Sequence, residues 1–282
     1  MSGKESNSKS FNFFDVVKYS QDQGSKKSRD QVTVEEPLEI KIIEENGTET
    51  TVSIIMRTPV MDDLLSVGFL YSEGILKDKS QLLSIENTDE NGNAIENIIK
   101  LKVNGEVQFS KSSYTRNFTV NSSCGVCGKS NINDIFVKSG RLVKSDIKVN
   151  SSTLLSLPDR MRNLQGIFSQ TGGIHAAGLF NSRGDPMFVA EDIGRHNAVD
   201  KVVGYMFLNN LLFGNDLILQ VSGRAGFEIL QKAAMAGVPV VSSVSAPSSL
   251  AIETARSMNM TLVCFVRGTR FNVYTNADRI IQ

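Results

Sequence analysis

The stretch NSSCGVCGKS at residues 121–130 sets Cys124 and Cys127 two residues apart, with Gly125 and Gly128 beside them. Glycine at those positions frees the backbone and leaves room for a bulky partner at either sulfur. The flanks are polar and do not alternate, which predicts a loop. Asn131 to Val137 could begin a helix. A helix N-terminus, or Lys129 close by, would favour thiolate over thiol. A thiolate is the nucleophile of disulfide exchange and of sulfur transfer. Three readings of the pair stay open. A metal clamp needs four ligands, and Cys264, His175 and His196 lie far off at no ligand spacing. A thioredoxin-type dithiol sits near the start of a βαβ unit, whereas this pair follows a hairpin region. The third is a nucleophilic cysteine that carries a group while its neighbour assists. An inert buried pair fits poorly with so many serines and glycines around it. Cys264, inside the apolar run Leu262 to Val266, reads as a small core residue.

Other reactive types gather in loops. Glu191-Asp192-Ile193-Gly194-Arg195-His196 follows a strand pattern and opens a helix. His196 and Asp200 are four apart and can share a helical face. An acidic partner there would orient the imidazole and raise its pKa. The alternative is capping by Asp192 plus a surface His–Asp pair. His175 lies among small residues and reads first as a buried, hydrogen-bonded core histidine. Zinc deaminases place a glutamate two residues after a ligand histidine, with CxxC further along the chain. Here Ala177 stands in that position and the CxxC comes first, so deamination is unsupported.

The elements that must hold these groups form two patterns. Residues 32–57 predict a β-hairpin turning at Asn46-Gly47. A helix runs from Asp62 to about Gly74, and a second hairpin covers 97–110 with Asn104-Gly105 at its tip. The second half alternates strand and helix. Met187–Ala190 is a short apolar run, followed by a helix from about Arg195 to Phe213. Leu217–Val221, Val238–Val244 and Thr261–Val266 read as strands. Phe227 to Ala234 and Ala251 to Met258 read as helices. This predicts an α/β fold with a parallel or mostly parallel sheet covered by helices on both faces. Ligands of such sheets sit outside the carboxyl ends of the strands. The loops at those ends are residues 190–197, 221–227, 243–249 and 266–270. They are rich in Gly, Ser and Arg and suit phosphate, with Arg195, Arg224, Arg267 and Arg270 as paired donors. Neither GxxxxGK[ST] nor GxGxxG after a strand occurs, so a P-loop and an ordinary dinucleotide site are unsupported.

Composition bounds the remaining possibilities. The 282 residues carry 30 Lys+Arg against 30 Asp+Glu, which argues against coating nucleic acid through bulk charge. With 40% hydrophobic residues and 3 cysteines the chain is globular and is no disulfide scaffold. No apolar run approaches the ~20 residues of a membrane helix. The start lacks the apolar stretch of a signal peptide, so a reducing cytoplasm is the expected address. Residues 1–30 are expected to be mobile, 31–120 to form an N-terminal α+β part, and 121–282 to form the α/β core with the CxxC loop.

Taken together, EEPLEI (35–40), GFLYSEGI (68–75), SCGVCG (123–128), TGGIHAAG (171–178), EDIGRHNAVDK (191–201), SGRAG (222–226) and FVRGTR with VYT (265–275) resemble the FdhD family, in the family's order, over about residues 32–280. These are formate dehydrogenase accessory sulfurtransferases. The resemblance implies a persulfide carried on Cys124, with Cys127 as the second cysteine of the motif and a cysteine desulfurase as donor. It implies that the sulfur passes to the molybdenum cofactor in its bis(molybdopterin guanine dinucleotide) form, before insertion into formate dehydrogenase. It implies a cofactor-binding stretch of Phe265, Val266, Arg267, Gly268, Thr269 and Arg270, a cytidine deaminase-like fold, a homodimer, and no metal ion of the protein's own. A cofactor-binding chaperone without persulfide chemistry is the alternative, and a zinc hydrolase survives more weakly.

Overall fold

The computed structural model describes residues 10–89, 92–105 and 142–282. The chain begins with an arm. Strand β1 (Phe11–Ser20) pairs antiparallel with β2 (Gly24–Thr33) as a two-stranded sheet. Composition gives residues 1–30 as mobile, and here residues 11–30 differ. Phe, Val and Tyr favour extended backbone, and a hairpin satisfies that backbone without a core. Most of its side chains stay exposed, which is why the pattern looks coreless.

A four-stranded sheet follows, in the order β4-β3-β6-β5. Strands β3 (Glu36–Ile43) and β4 (Glu49–Arg57) form the hairpin expected around Asn46-Gly47. Val32 and Val34 fall outside it, Val32 belonging to β2. Strands β5 (Leu82–Glu86) and β6 (Ile98–Val103) complete the sheet, β6 lying parallel to β3. The returning half of the second expected hairpin, 106–110, lies outside the described residues. Leu38, Ile40 and Ile42 alternate inward from β3 and meet Ile99, Leu101 and Val103 of β6.

The second sheet has six strands in the order β13-β12-β11-β10-β8-β9. Strands β10 (Leu217–Val221), β11 (Val240–Ser243) and β12 (Thr261–Arg267) are parallel. Their connections are α5 (Phe227–Met235) and α6 (Ser249–Ser257). The α/β class stands, and the parallel pairing is confined to this centre. Antiparallel strands flank it: β8 (His175–Asn181) and β9 (Pro186–Asp192) on one side, β13 (Arg270–Thr275) on the other. Both faces carry helices. Helix α4 (Arg195–Leu208) lies with α5 and α6 in the larger core, while α2 (Ser151–Arg162) buries Leu154, Leu157 and Met161 against Phe180, Ile218 and Val263 on the other face. A short helix α3 (Gly166–Thr171) follows α2, and β7 (Val149–Asn150) pairs with β14 (Ile280–Ile281).

Helix α1 (Asp62–Ser72) joins the two sheets by crossing α4 at two glycines. A Cβ on Gly68 would lie 1.8 Å from the Asp200 carbonyl oxygen, and one on Gly204 would lie 2.0 Å from that of Leu64. The backbones therefore touch, and one buried cluster runs from Leu38 through Leu65 and Val203 to Leu262. The expected boundary at 120/121 lies outside the described residues. Among the described residues no helix is long and apolar enough to cross a membrane.

Candidate functional site

The carboxyl ends of β10, β11 and β12 point to one rim, as the open-sheet rule requires. The antiparallel β8 and β9 bring two more ends there, because His175 begins β8 and Asp192 ends β9 opposite it. Hydrogen bonds then stitch the loops together. Ala225 N–H donates to the Ala246 carbonyl (3.1 Å), and Ser248 N–H donates to that of Ala225 (3.1 Å). Ser243 Oγ donates to the Gly223 carbonyl (2.7 Å) and accepts the Ser245 N–H (3.0 Å). Phe265 N–H donates to the Ser245 carbonyl (3.1 Å). Many loop amides are therefore spent on one another. Arg224, Arg267 and Arg270 are exposed and present guanidinium donors at this rim.

The stretch 265–270 is shaped by a bulge. The β12–β13 register shifts between Cys264 and Arg267, and Phe265 takes φ = 56°. Positive φ is strained for a bulky residue and costs about 1–3 kcal/mol. The bulge breaks the alternation and turns Phe265 outward, while Val263 and Val266 both enter the α2-side core. Val266 is fully buried, so its side chain faces the core and not the rim. Gly268 (φ = 55°) and Thr269 make the two-residue loop between Arg267 and Arg270. Arg267 Nε donates to the Val244 carbonyl (2.8 Å), which ties this loop to a neighbouring cavity.

That cavity, about 490 Å³, is lined by Arg162, Gln165, Phe168, His175, Ser222 and Val244 among others. The Arg162 guanidinium stacks 3.9 Å from the Phe168 ring centre, giving a flat cationic wall. Both Glu191 carboxylate oxygens accept α3 amides, from Ile167 (2.9 Å) and Phe168 (2.7 Å), and so fix that wall. His175 Nδ1 lies 3.5 Å from Ser222 Oγ, which accepts the Ala176 N–H (2.9 Å). Burial, then the Arg195 charge, push the His175 pKa below its ordinary value, against the opposing pull of Asp192. The ring is neutral at pH 7 and lines the cavity.

The motif at 191–201 serves mainly as the frame behind this rim. Asp192 and Lys201 are both fully buried and paired at 2.6 Å. Asp192 Oδ1 also accepts the Gly194 N–H and the Asn197 amide, each at 2.8 Å. His196 and Asp200 do not pair, contrary to the spacing argument. Asp200 is held by Lys232 of α5 at 2.7 and 2.8 Å and by Ser72 of α1 at 3.0 Å, since a buried cation attracts it more than a neutral ring does. His196 Nε2 lies 3.4 Å from Glu228 instead. Burial, with Arg195, Lys232 and His175 adding to it, outweighs that carboxylate and lowers His196 to about 3, opposite to the expected rise. Cys264 is fully buried as expected, and burial pushes its thiol up to about 12, so it stays protonated.

Cys124 and Cys127 lie outside the described residues. Of the expected site residues described here, Phe265, Arg267, Gly268, Thr269 and Arg270 are brought together at the rim. Arg162, Phe168 and Ser222 were not expected as site residues. Ser222 sat in a flagged loop, whereas nothing in the spacing of Arg162 and Phe168 marks a wall. Among the described residues no group of three or more His, Cys, Asp or Glu side chains is placed to hold a metal ion.

Known proteins share this fold and much of this sequence. A crystal structure from Desulfotalea psychrophila, described as a formate dehydrogenase accessory protein, has the same fold, with a TM-score of 0.73 over 96% of this chain and 100% of that one at 23% identity. A Thermoplasma volcanium protein named sulfur carrier protein FdhD is 54% identical over 254 residues, 90% of each chain. A Mycobacterium tuberculosis protein of the same name is 43% identical over 88% of this chain and 91% of that one. The model of the FdhD/NarQ family matches residues 33–281, and on that match, with relatives this similar over nearly their whole length, the chain belongs to the FdhD/NarQ family.

Proposed function

We propose that this chain is a sulfur carrier that holds sulfur as a persulfide on Cys124 and delivers it to the molybdenum cofactor for formate dehydrogenase. The observation that carries this reading is the 54% identity, over 90% of both chains, to a protein named as a sulfur carrier. The intact SCGVCG motif at 123–128 supports it. The Cys124 thiolate attacks the terminal sulfur of a cysteine desulfurase persulfide. The inner S–S bond breaks, the donor cysteine leaves as thiolate, and the sulfur stays on Cys124 as a persulfide anion. Cys127 can then attack the inner sulfur. The terminal sulfur leaves as hydrosulfide to the cofactor, and a cellular dithiol reductant, itself oxidised to a disulfide, returns Cys124–Cys127 to two thiols before the next turn.

The cargo is bis(molybdopterin guanine dinucleotide), and the rim offers what such a molecule needs. Arg267 and Arg270 match phosphate oxygens. The Arg162–Phe168 wall offers a planar ring a stacking surface, and exposed Phe265 offers a second aromatic face. The same reading makes the working unit a homodimer in a reducing cytoplasm.

A second reading rests on the cavity and the rim beside it, which would take one end of the cofactor without any persulfide. Intact mass measurement separates the two, on wild type and Cys124→Ala after incubation with a cysteine desulfurase and cysteine. A gain of one sulfur atom, reversed by reductant and absent from Cys124→Ala, is expected. No gain in either protein, with an active desulfurase, leaves the chaperone reading.

A further inference from the structure

Gln165 stands at the N-cap of α3, where a side chain ordinarily accepts the first free amides of the helix. It does not do so here. The Ile167 and Phe168 amides donate to Glu191, a carboxylate supplied from β9. Gln165 is thereby released from capping. It is 5% exposed, lines the cavity of about 490 Å³, and its side-chain amide has no hydrogen-bond partner among the described residues. A buried amide without a partner destabilises a fold. Its place on the cavity wall points to an occupant that completes it.

The surrounding groups define that occupant. Asp159 and Arg162 are the charged residues among those described that line the cavity. The Arg162 guanidinium is already stacked on Phe168, and Asp159 repels anions, so the interior suits a neutral ring better than a phosphate. The Asp159 carboxylate is exposed and has no ion-pair partner among the described residues. Gln165 supplies one acceptor and a donor, and Asp159 supplies a second acceptor. Two acceptors and a donor complement a ring edge that carries two kinds of N–H and a carbonyl oxygen. That is the 2-amino-4-oxopyrimidine edge, which guanine and pterins share. The adenine edge sets an amino group beside a ring nitrogen that only accepts, and leaves one protein acceptor without a donor. We propose that Gln165 and Asp159 read the 2-amino-4-oxopyrimidine edge of a ring stacked on the Arg162–Phe168 wall, and so set the specificity of this cavity. Gln165 accepts the ring N–H and donates to the carbonyl oxygen, while Asp159 accepts the amino group. Val244 lines the cavity and its carbonyl accepts Arg267 Nε at 2.8 Å, so phosphates attached to the ring have Arg267 beside them. Such a site rests on the molybdenum cofactor as cargo, whose guanine and pterin both carry this edge, and is independent of the persulfide.

Calorimetric titration of the full chain with guanosine diphosphate, neopterin and adenosine diphosphate tests this. Guanosine diphosphate or neopterin is expected to bind about tenfold or more tighter than adenosine diphosphate, and the tighter of the two names the source of the ring. Gln165→Leu is expected to weaken that ligand about tenfold, as the loss of two hydrogen bonds does, and Asp159→Ala about fivefold. Adenosine diphosphate should change less than about threefold in either variant. Because the amide has no partner to lose, unliganded Gln165→Leu should unfold thermally at or above the wild-type midpoint. A midpoint several degrees lower would make Gln165 a structural residue satisfied by ordered water, and overturns its role as reader. Tight binding that both variants leave unchanged places the ring elsewhere and overturns this site, with the cofactor still the cargo. Adenosine diphosphate bound as tightly as the other two overturns the edge recognition. No binding of guanosine diphosphate or neopterin overturns both the site and the cofactor as cargo, while the mass gain on Cys124 stands or falls separately.

Discussion

Phe265 combines backbone strain with exposure at the candidate rim. Its φ of 56° stores strain that a glycine would release, and its side chain is 36% exposed instead of filling the core. Phe265→Gly is therefore expected to change unfolding free energy by less than about 1 kcal/mol, against the ~3–5 kcal/mol of a buried Phe truncation. Binding of bis(molybdopterin guanine dinucleotide), or of guanosine diphosphate as its fragment, should weaken about tenfold, or about 1.4 kcal/mol. Denaturant titration and calorimetry on the same variant check both halves, and a large stability loss would return Phe265 to a structural role.

His196 makes a second prediction at this scale, through pH. Its folded pKa, about 3, lies below the ordinary histidine value of 6.5. Below pH 6.5 the unfolded chain therefore binds a proton that the folded chain refuses. The stability from this group is complete above 6.5 and is lost as pH falls from 6.5 toward 3. His196→Asn should flatten that part of the pH–stability curve by a few kcal/mol between pH 6.5 and 4. An unchanged slope in urea unfolding at those pH values would mean that another group sets the acid limit.

The crossing of α1 and α4 governs the next scale up. Each glycine there meets a carbonyl oxygen of the other helix at a distance no Cβ can share. Gly68→Ala or Gly204→Ala must push the helices apart along a contact that unites both sheets. Overpacking costs about 1–3 kcal/mol where side chains can yield, and a backbone carbonyl cannot, so each variant is expected to lose 3 kcal/mol or more. A shift in urea midpoint checks this, and a loss under 1 kcal/mol would show that the helices separate freely. Gly68 enters the sequence reading only as the first residue of GFLYSEGI and Gly204 not at all, and nothing in their spacing predicts a helix crossing.

The elements differ in how legible they were. β10, β11 and β12 are continuous apolar runs with helices between them, and periodicity alone places them and their rim. β8 escaped notice because HAAGLFN is built of small residues with weak strand preference, yet it lies beside β10 and carries His175 to the rim. α2 escaped because Pro158 sits inside it, where proline ordinarily ends a helix. With it went Arg162 of the cavity wall. The Phe265 bulge was invisible for another reason. LVCFVR reads as an unbroken strand, and only the pairing register reveals the extra residue. The EDIGRHNAVDK motif was conspicuous, but its carboxylates are engaged in buried pairs and a helix cap, which spacing along one helix cannot separate from catalysis.

At the scale of the whole molecule, a change of composition near the middle of the chain suggests two parts, while the packing joins them. The buried cluster is continuous from Leu38 and Leu101 in the first sheet, through Leu65, Leu70, Val199 and Val203 at the helix crossing, to Leu219 and Leu262 in the second. Polar links cross the same seam. Asn197 donates to the Met56 carbonyl at 2.8 Å, Tyr71 Oη to that of Met235 at 2.8 Å, and Ser72 Oγ to the Asp200 carboxylate at 3.0 Å. Lys201 also reaches the Thr58 carbonyl at 3.4 Å while paired to Asp192. Separating the parts would break these cross-seam hydrogen bonds, open the fully buried Lys201–Asp192 pair to water and expose the glycine faces of both helices, and each buried polar group left unpaired costs about 1–3 kcal/mol. Neither part has reason to hold its fold without the other, so the described core should unfold as one unit. Urea unfolding followed by far-ultraviolet circular dichroism, and separately by hydrogen exchange of β3 and β11 amides, is expected to give one shared midpoint and slope. Two resolved midpoints would mean that the α1–α4 seam is weaker than its glycine crossing and cross-seam hydrogen bonds imply, and that the rim can open without disturbing the first sheet.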